Sequence, residues 1–537
     1  MKSLLIGLAI VCLGMPMHMN AQKTVRVIPY PAHVSIQPKI FSLKSSVSVR
    51  VLNSSGLSKE ASFLKKHLEE LNHQVVLSNG RQPGKGINLS IDKQLNGEEA
   101  YKIVVSSDQI VITGGSSAGV FYGIQTLIQQ LKNGGIHYGE IEDAPRYSWR
   151  GYMLDEARHF FGKNKVKQLL DMMSYYKLNK FHWHLTDEQG WRIEIKKYPL
   201  LTTIGGVGCW SDPETPAKYY TQDDIREIIQ YAADRHIEVI PEIDMPGHAT
   251  ASNRAYPEFC GGGTVEHPDF TFNVGKEGTY TFLSNILKEV ATLFPSPYLH
   301  IGGDEVAYGS KAWETDPFVL DLMKRENLNN VKDVERYFMH RMSDTIRTLG
   351  KEQIGWDELL DLKLGAQKAV IMWWRHDKPE KLQQSLKEGY TTILCPRKPL
   401  YFDFVQYKDH KYGRVWDGFC PIEDVYAFPD NLFNSQNIPD EAIKHVRGMQ
   451  ANVWTERMHN TDRLDFMTFP RMCALAESAW SEAGVKDYKG FTQRMEDAFT
   501  LFDQLKIYYF DFRNPEHHPE PAAIEKKNVK TNMDFRD

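Results

Sequence analysis

The chain has little that would mark a membrane protein, a disulfide scaffold or a nucleic-acid binder. Beyond its first residues it contains no apolar run near the roughly 20 residues that a bilayer-spanning helix requires. Cysteine is scarce. There are six among 537 residues, with no CxxC and no Cys/His zinc spacing, which excludes a cysteine-stapled fold and a zinc ribbon. Positive charge is not in surplus either. Lys and Arg total 64 against 69 Asp and Glu, a formal charge of −5, the wrong sign for a partner made of phosphates. Apolar residues are not lacking. At 42% hydrophobic and 25% charged the chain can bury a large core, so wholesale disorder is excluded. At roughly 100–200 residues per domain the length suggests two to four domains, unless one is a large α/β barrel.

Residues 1–22 read as a secretory leader. Lys2 supplies the positive start, Leu4 to Leu13 the short apolar run, and Met19-Asn20-Ala21 a small-residue cleavage site. The mature chain is expected to be soluble and exported, periplasmic or secreted. Cys12 invites a lipoprotein reading, but Val11 stands where a small residue is expected and the upstream segment is very short, so cleavage is favoured over a lipid anchor. Cleavage leaves Cys209, Cys260, Cys395, Cys420 and Cys473, an odd number with at least one free thiol. If one bridge forms, Cys209–Cys260 is the expected pair, because both lie in long Gly-rich loops.

Residues 23–147 show short alternating strands (Val47–Leu52, Ile87–Ile91, Tyr101–Val105, Gln109–Thr113) and two helical stretches, Lys59–Leu71 and Ser117–Leu131. That is the pattern of a small α+β domain. From residue 148 to about 508 the rhythm becomes strand, loop, helix, repeated. Candidate strands are Gly151–Asp155, Lys180–Leu185, Glu238–Ile243, Tyr298–Gly302, Gln353–Trp356, Ala369–Trp374, Thr391–Leu394 and Met449–Trp454. Eight such units over about 350 residues predict a (β/α)8 TIM barrel with long loops. Residues 509–537 read as a short solvated extension.

Barrel enzymes work at the C-terminal ends of their strands, and here those ends carry chemistry. In order they run into Asp155-Glu156-Ala157-Arg158, Thr186-Asp187, Asp244-Met245-Pro246-Gly247-His248, Asp304-Glu305, Trp356-Asp357-Glu358, Trp373-Trp374, Tyr401-Phe402-Asp403 after a short loop, and Trp454-Thr455-Glu456. Carboxylates, an arginine and several tryptophans describe a pocket for a neutral, hydroxyl-rich ring. Asp304-Glu305 is the sharpest feature. Adjacent carboxylates at a strand end point to different sides by alternation, so each can take its own role in one pocket. A bare acidic pair more often starts a helix; the eight-strand context favours catalysis.

The stretches Arg150-Gly151-Tyr152-Met153-Leu154-Asp155-Glu156-Ala157-Arg158, Phe181-His182-Trp183-His184-Leu185-Thr186-Asp187 and His300-Ile301-Gly302-Gly303-Asp304-Glu305 resemble glycoside hydrolase family 20, the β-N-acetylhexosaminidases, many of them bacterial and exported. Trp356-Asp357-Glu358 and Asn452-Val453-Trp454-Thr455-Glu456 match as well, and the N-terminal segment is similar to the small domain that precedes the barrel in that family. The resemblance implies substrate-assisted retaining hydrolysis, in which the substrate's 2-acetamido oxygen attacks the anomeric carbon and water opens the oxazolinium intermediate. It implies Glu305 as general acid then base, Asp304 holding the acetamido N–H, and Tyr401 bonding the acetamido oxygen. Trp356, Trp374 and Trp454 would wall the pocket; of the Trp373-Trp374 pair, register against the family motif selects Trp374. Arg158, Asp403 and Glu456 would grip sugar hydroxyls and close one end, which implies exo action on terminal non-reducing residues. Asp187 and His248 would orient a catalytic carboxylate.

The resemblance implies no cofactor and no metal, and as partners only glycans ending in β-linked N-acetylglucosamine or N-acetylgalactosamine. Two other classes stay open. One is a non-catalytic glycan-binding lipoprotein, against which the intact Asp304-Glu305 and Tyr401 speak. The other is a metal-dependent deacetylase using His182, His184, His248 and His300, which chelation would reveal. Within the family, a sulfated or disaccharide-releasing specificity is the alternative.

Overall fold

A computed structural model describes residues 25–53, 56–132 and 135–524. The proposed leader and its Cys12 lie outside the described residues. The N-terminal part is a seven-stranded mixed sheet. In spatial order its strands are His33–Phe41, Ile136–Asp143, Tyr101–Val105, Gln109–Gly114, Gly86–Ile91, Ser46–Leu52 and Gln74–Gly80. The central strands alternate buried Val49, Ile87, Leu89, Ile103, Ile110 and Ile112 with polar neighbours, and this is what makes them readable from sequence. The two edge strands escaped the sequence reading because their burial is weak and irregular; Val76 and Ile40 stand exposed. Helix Ser117–Lys132 is buried along most of its length. Its Gln129 exchanges hydrogen bonds with the backbone of Ile28 and donates to the Tyr175 carbonyl, stitching sheet, entry segment and barrel together.

The second part is a closed barrel of eight parallel strands: Trp149–Asp155, Lys180–His184, Glu238–Glu242, Tyr298–His300, Glu352–Trp356, Ala369–Trp373, Thr392–Leu394 and Val446–Val453. The strands are buried on both faces, as parallel strands under helices must be. Alternation sorts their side chains. Met153, Ile240, Ile354, Val370, Met372 and Ile393 fill the barrel; Leu154, Trp183, Val239, Ile371, Trp373 and Val453 face the surrounding helices. Helix Gln222–Ala233 starts at a reciprocal capping box between Thr221 and Asp224, and helix Val331–Thr348 at the Asn330 side chain. Such caps set where each loop ends and so where each strand end projects. Helix Tyr488–Leu505 completes the outer ring. The segment after it does not run free. Phe510 N–H bonds the Phe469 carbonyl, the Tyr508 hydroxyl bonds the Pro519 carbonyl, and Glu520 pairs with buried Arg463. The extension is therefore docked at Phe510, Pro519 and Glu520, while Arg513, Asn514, Glu516 and His517 are exposed to solvent.

The cysteine expectation also fails. Cys209 and Cys260 are both free: the Cys209 thiol sits 3.4 Å from the Ser211 and Thr215 hydroxyls, and the Cys260 thiol bonds Asp269. Shared loop character gave no information about where the two loops go.

Candidate active site

At the C-terminal mouth of the barrel a pocket is lined by Arg158, Asp187, His248, Asp304, Glu305, Trp374, Arg397, Tyr401, Arg414, Trp454 and Glu456. The fourth strand ends at His300, two residues before the sequence reading put it. From there Gly302 and Gly303 turn through φ +63° and +91°, and Glu305 itself lies at φ +51°. The alternation argument for Asp304-Glu305 therefore does not apply. A left-handed turn, not a strand, delivers both carboxylates, and a non-glycine residue in that region marks strain held by its surroundings. Gly302 is needed for a second reason: a Cβ there would lie 1.7 Å from Asp244 Oδ1. Both carboxylates end beside one imidazole, His248 Nε2 being 3.3 Å from Glu305 Oε2 and 3.6 Å from Asp304 Oδ2.

Asp187 anchors that imidazole. It meets His248 Nδ1 at 3.1 Å, His184 Nε2 at 2.7 Å and Arg158 Nη1 at 2.6 Å. Burial alone would raise its carboxyl; Arg158 and His248 overcome that and hold it well below the ordinary range. Burial likewise opposes a charged His248, yet Asp187 and Asp304 carry it well above an ordinary histidine. Below this layer His184, His182, His300 and the Trp356 indole all converge on buried Glu242. Three of the four histidines considered as metal ligands thus share one carboxylate as their common partner, and the fourth, His248, lies with Asp187, Asp304 and Glu305.

The two catalytic candidates differ in the empty pocket. Burial pushes Asp304 up to about 6, against the pull of His248 and with the push of Glu305. Burial also works to raise Glu305, but the His248 contact, Arg414 and Arg158 outweigh it and leave its carboxyl below the ordinary value.

The aromatic wall follows from barrel register. Trp374 continues the inward row of Val370 and Met372 into the pocket, while Trp373 faces out and gives its indole N–H to the Lys378 carbonyl. Trp374 stacks nearly parallel to Tyr401, with ring centres 6.2 Å apart and planes at 10°, and its indole N–H is fixed by Glu358. Trp454 packs at 6.0 Å from Tyr401 and carries the Arg158 guanidinium 5.1 Å from its ring centre. Trp356 is a floor rather than a wall: it is 1% exposed and packs 5.9 Å from Trp454.

Asp403 lies at the far end behind Arg414, whose guanidinium bonds both Asp403 Oδ2 and, at 3.3 Å, Glu456 Oε1. Asp403 Oδ1, Asp304 Oδ1 and Arg158 Nε are buried without a protein hydrogen-bond partner, which leaves them for a ligand. Sequence reading missed Arg414 and Arg397. Arg397 follows the seventh strand by three residues, and Arg414 reaches the pocket from the loop before the last strand. Beyond Glu305, Trp374 and Arg397 the pocket opens into a cleft of about 640 Å³ that includes Tyr308, His376 and the half-exposed Trp416.

A parallel barrel with paired carboxylates, an aromatic box and one closed end defines a sugar-cleaving hydrolase. The catalytic-domain model of glycosyl hydrolase family 20 matches residues 147–483, and that family's domain 2 matches residues 24–144. The chain belongs to glycosyl hydrolase family 20. It is 33% identical to a β-hexosaminidase of Porphyromonas gingivalis over 95% of this chain and 68% of that one, and 34% identical to a β-hexosaminidase of Vibrio furnissii over 85% and 76%. Among solved structures, a family 20 exo-β-N-acetylglucosaminidase from Vibrio harveyi in complex with N-acetylglucosamine aligns at TM-score 0.82 with 32% identity, covering 91% of this chain and 78% of that one. A Streptomyces plicatus β-hexosaminidase mutant in complex with GlcNAc aligns at 0.78 with 30% identity, covering 90% and 96%.

Proposed function

We propose that the pocket takes one terminal, non-reducing β-linked N-acetylhexosamine and that its own acetamido group is the nucleophile. The enzyme is an exo-acting β-hexosaminidase. The observation that carries the substrate pose is the position of Glu305, at the junction between a pocket closed by Arg158, Arg414 and Glu456, with Asp403 behind Arg414, and the open cleft beyond. The glycosidic oxygen belongs at that junction, where a proton from Glu305 releases the leaving sugar into the cleft. Asp304 Oδ1 accepts the acetamido N–H, turns the carbonyl oxygen toward the anomeric carbon and balances the charge of the oxazolinium ring. Tyr401 bonds that oxygen, and Trp374 and Trp454, with Trp356 packed behind Trp454, enclose the acetyl group and exclude water.

Asp304 holds a proton more readily than Glu305, whereas the reaction needs it on Glu305. Substrate supplies the reversal. An N–H donated to Asp304 stabilises its carboxylate, and a leaving group packed over Glu305 strips its water and raises its pKa. Water then attacks the anomeric carbon with Glu305 as base, giving retention.

Hydrolysis of 4-nitrophenyl β-GlcNAc beside the matched β-glucoside, with and without EDTA, tests this. Activity on the acetamido sugar alone, indifferent to EDTA, is expected. Equal cleavage of the glucoside removes the acetamido nucleophile and with it the roles of Asp304 and Tyr401.

The leader-like residues 1–22 support an exported enzyme, and the similarity to the Porphyromonas and Vibrio proteins supports a bacterial one of the periplasm or medium. Activity and a mature N-terminus near residue 23 in the exported fraction are expected; full-length protein in the cytoplasm overturns this.

A further inference from the structure

We propose that Glu520, in the segment after the last helix, is a positioning residue for sugar recognition: it fixes the backbone of residues 411–412 and thereby aims Arg414 at Asp403 and Glu456. The proposal rests on the reading that these two carboxylates take sugar hydroxyls. Glu520 Oε2 accepts the Lys411 N–H at 2.9 Å, and Oε1 accepts the Tyr412 N–H at 3.0 Å. The same Oε1 meets Arg463 Nη1 at 3.0 Å; the Arg463 side chain is fully buried, so its charge depends on this partner. A carboxylate gripping two successive amide protons and a buried guanidinium is a strong, directional anchor.

The anchored residues, Lys411 and Tyr412, stand three and two positions before Arg414. Arg414 is fixed at its backbone, its N–H bonding the Asp403 carbonyl at 2.8 Å and its carbonyl accepting from Val405. Gly413 between them runs tight against the same segment, since a Cβ there would lie 2.6 Å from the Asp403 carbonyl oxygen. A shift of residues 411–412 is therefore transmitted to the guanidinium. The anchor is itself tied down, Tyr508 bonding the Pro519 carbonyl and His518 Nδ1 the Tyr509 carbonyl.

The test compares the full chain with Glu520→Gln, Glu520→Ala, Arg414→Ala and Arg414→Ala/Glu520→Ala on 4-nitrophenyl β-GlcNAc and its 4-deoxy analogue. Glu520→Ala is expected to raise KM about fivefold with kcat within about twofold, and to shrink the preference for the parent over the deoxy sugar. Glu520→Gln, which keeps one acceptor oxygen and guards against misfolding, should fall between the two. In the Arg414→Ala background the Glu520 substitution should add nothing, since residues acting through one contact are not additive. A Glu520→Ala protein that melts lower yet keeps KM and the deoxy preference overturns the proposal, as does an effect that multiplies with Arg414→Ala. An inactive wild type would instead sink the reading of the site.

Discussion

The pocket holds two arginine–carboxylate nodes, and they are built differently. Arg158 and Asp187 stand on strand ends, rest on the His184–Glu242 layer and are almost wholly buried. Arg414, Asp403 and Glu456 draw two of their three members from the loops between the last two strands, and the Arg414 side chain keeps 19% of its surface exposed. The first node is over-determined by the barrel. The second is held by backbone contacts that reach as far as Glu520. Rigid chemistry thus sits on the scaffold, and sugar-selecting contacts sit on the loops.

The largest expected effect breaks the strand-borne side at its turn. Glu305→Gln should lower kcat on natural glycans by about 10²–10⁴-fold while the melting temperature holds, because only proton transfer is lost. Near-normal turnover would take Glu305 out of the acid role.

Next comes the contrast between the nodes themselves. Asp187→Ala leaves Arg158, His184 and His248 buried around a missing anion, and should cost about 3–5 kcal/mol of stability together with most of kcat. Arg414→Ala removes a partly exposed cation and should cost about 1 kcal/mol, its main effect being a higher KM. Equal losses of stability in chemical denaturation would mean that the two nodes are not built differently after all.

The pH profile sharpens the comparison further. Asp304 and Asp403, one from each side, are both pushed up to about 6. Each must be a carboxylate to accept from the substrate, while Glu305, held below the ordinary value, must keep a proton to act as the acid, so kcat/KM should peak near pH 6 and fall on both sides of it. Asp304→Asn should leave a shallower acid limb owed to Asp403 alone and weaken binding of a thiazoline mimic of the intermediate. An acid limb unchanged in Asp304→Asn and lost in Asp403→Asn would move the titration to the loop side.

The same division explains what was legible in the sequence. Strand ends could be read because parallel strands are short apolar runs that stop at ionisable residues; the strand period says only that one of Trp373 and Trp374 faces in, and register against the family motif was needed to choose Trp374. Asp304-Glu305 was found for the wrong geometric reason, since nothing local announces that the strand stops at His300 and turns left-handed at Gly302. Arg414, Arg397 and Glu520 carried no local signal. Each acquires its role only from a partner brought near by tertiary folding, Glu520 from Lys411 and Arg463, which lie 109 and 57 positions away.

The smallest effect concerns a thiol beside the strand-borne node. Burial opposes ionisation of Cys209, but hydrogen bonds from His159, Ser211 and Thr215 bring it down to about 6. Cys260 is pushed up to about 11 and the remaining thiols are buried. Iodoacetamide at neutral pH should therefore label Cys209 first, with a rate that rises through pH 6, whereas a Cys209–Cys260 bridge would leave neither reactive. The neighbouring Trp210 N–H bonds the Arg158 carbonyl, so the adduct presses on the loop behind Arg158. If the barrel over-determines Arg158 as its Asp155 and Asp187 contacts indicate, activity should change by less than about twofold, the range of a substitution away from any critical contact. A large loss would show that the strand-borne node depends on its loops as much as the Arg414 node does.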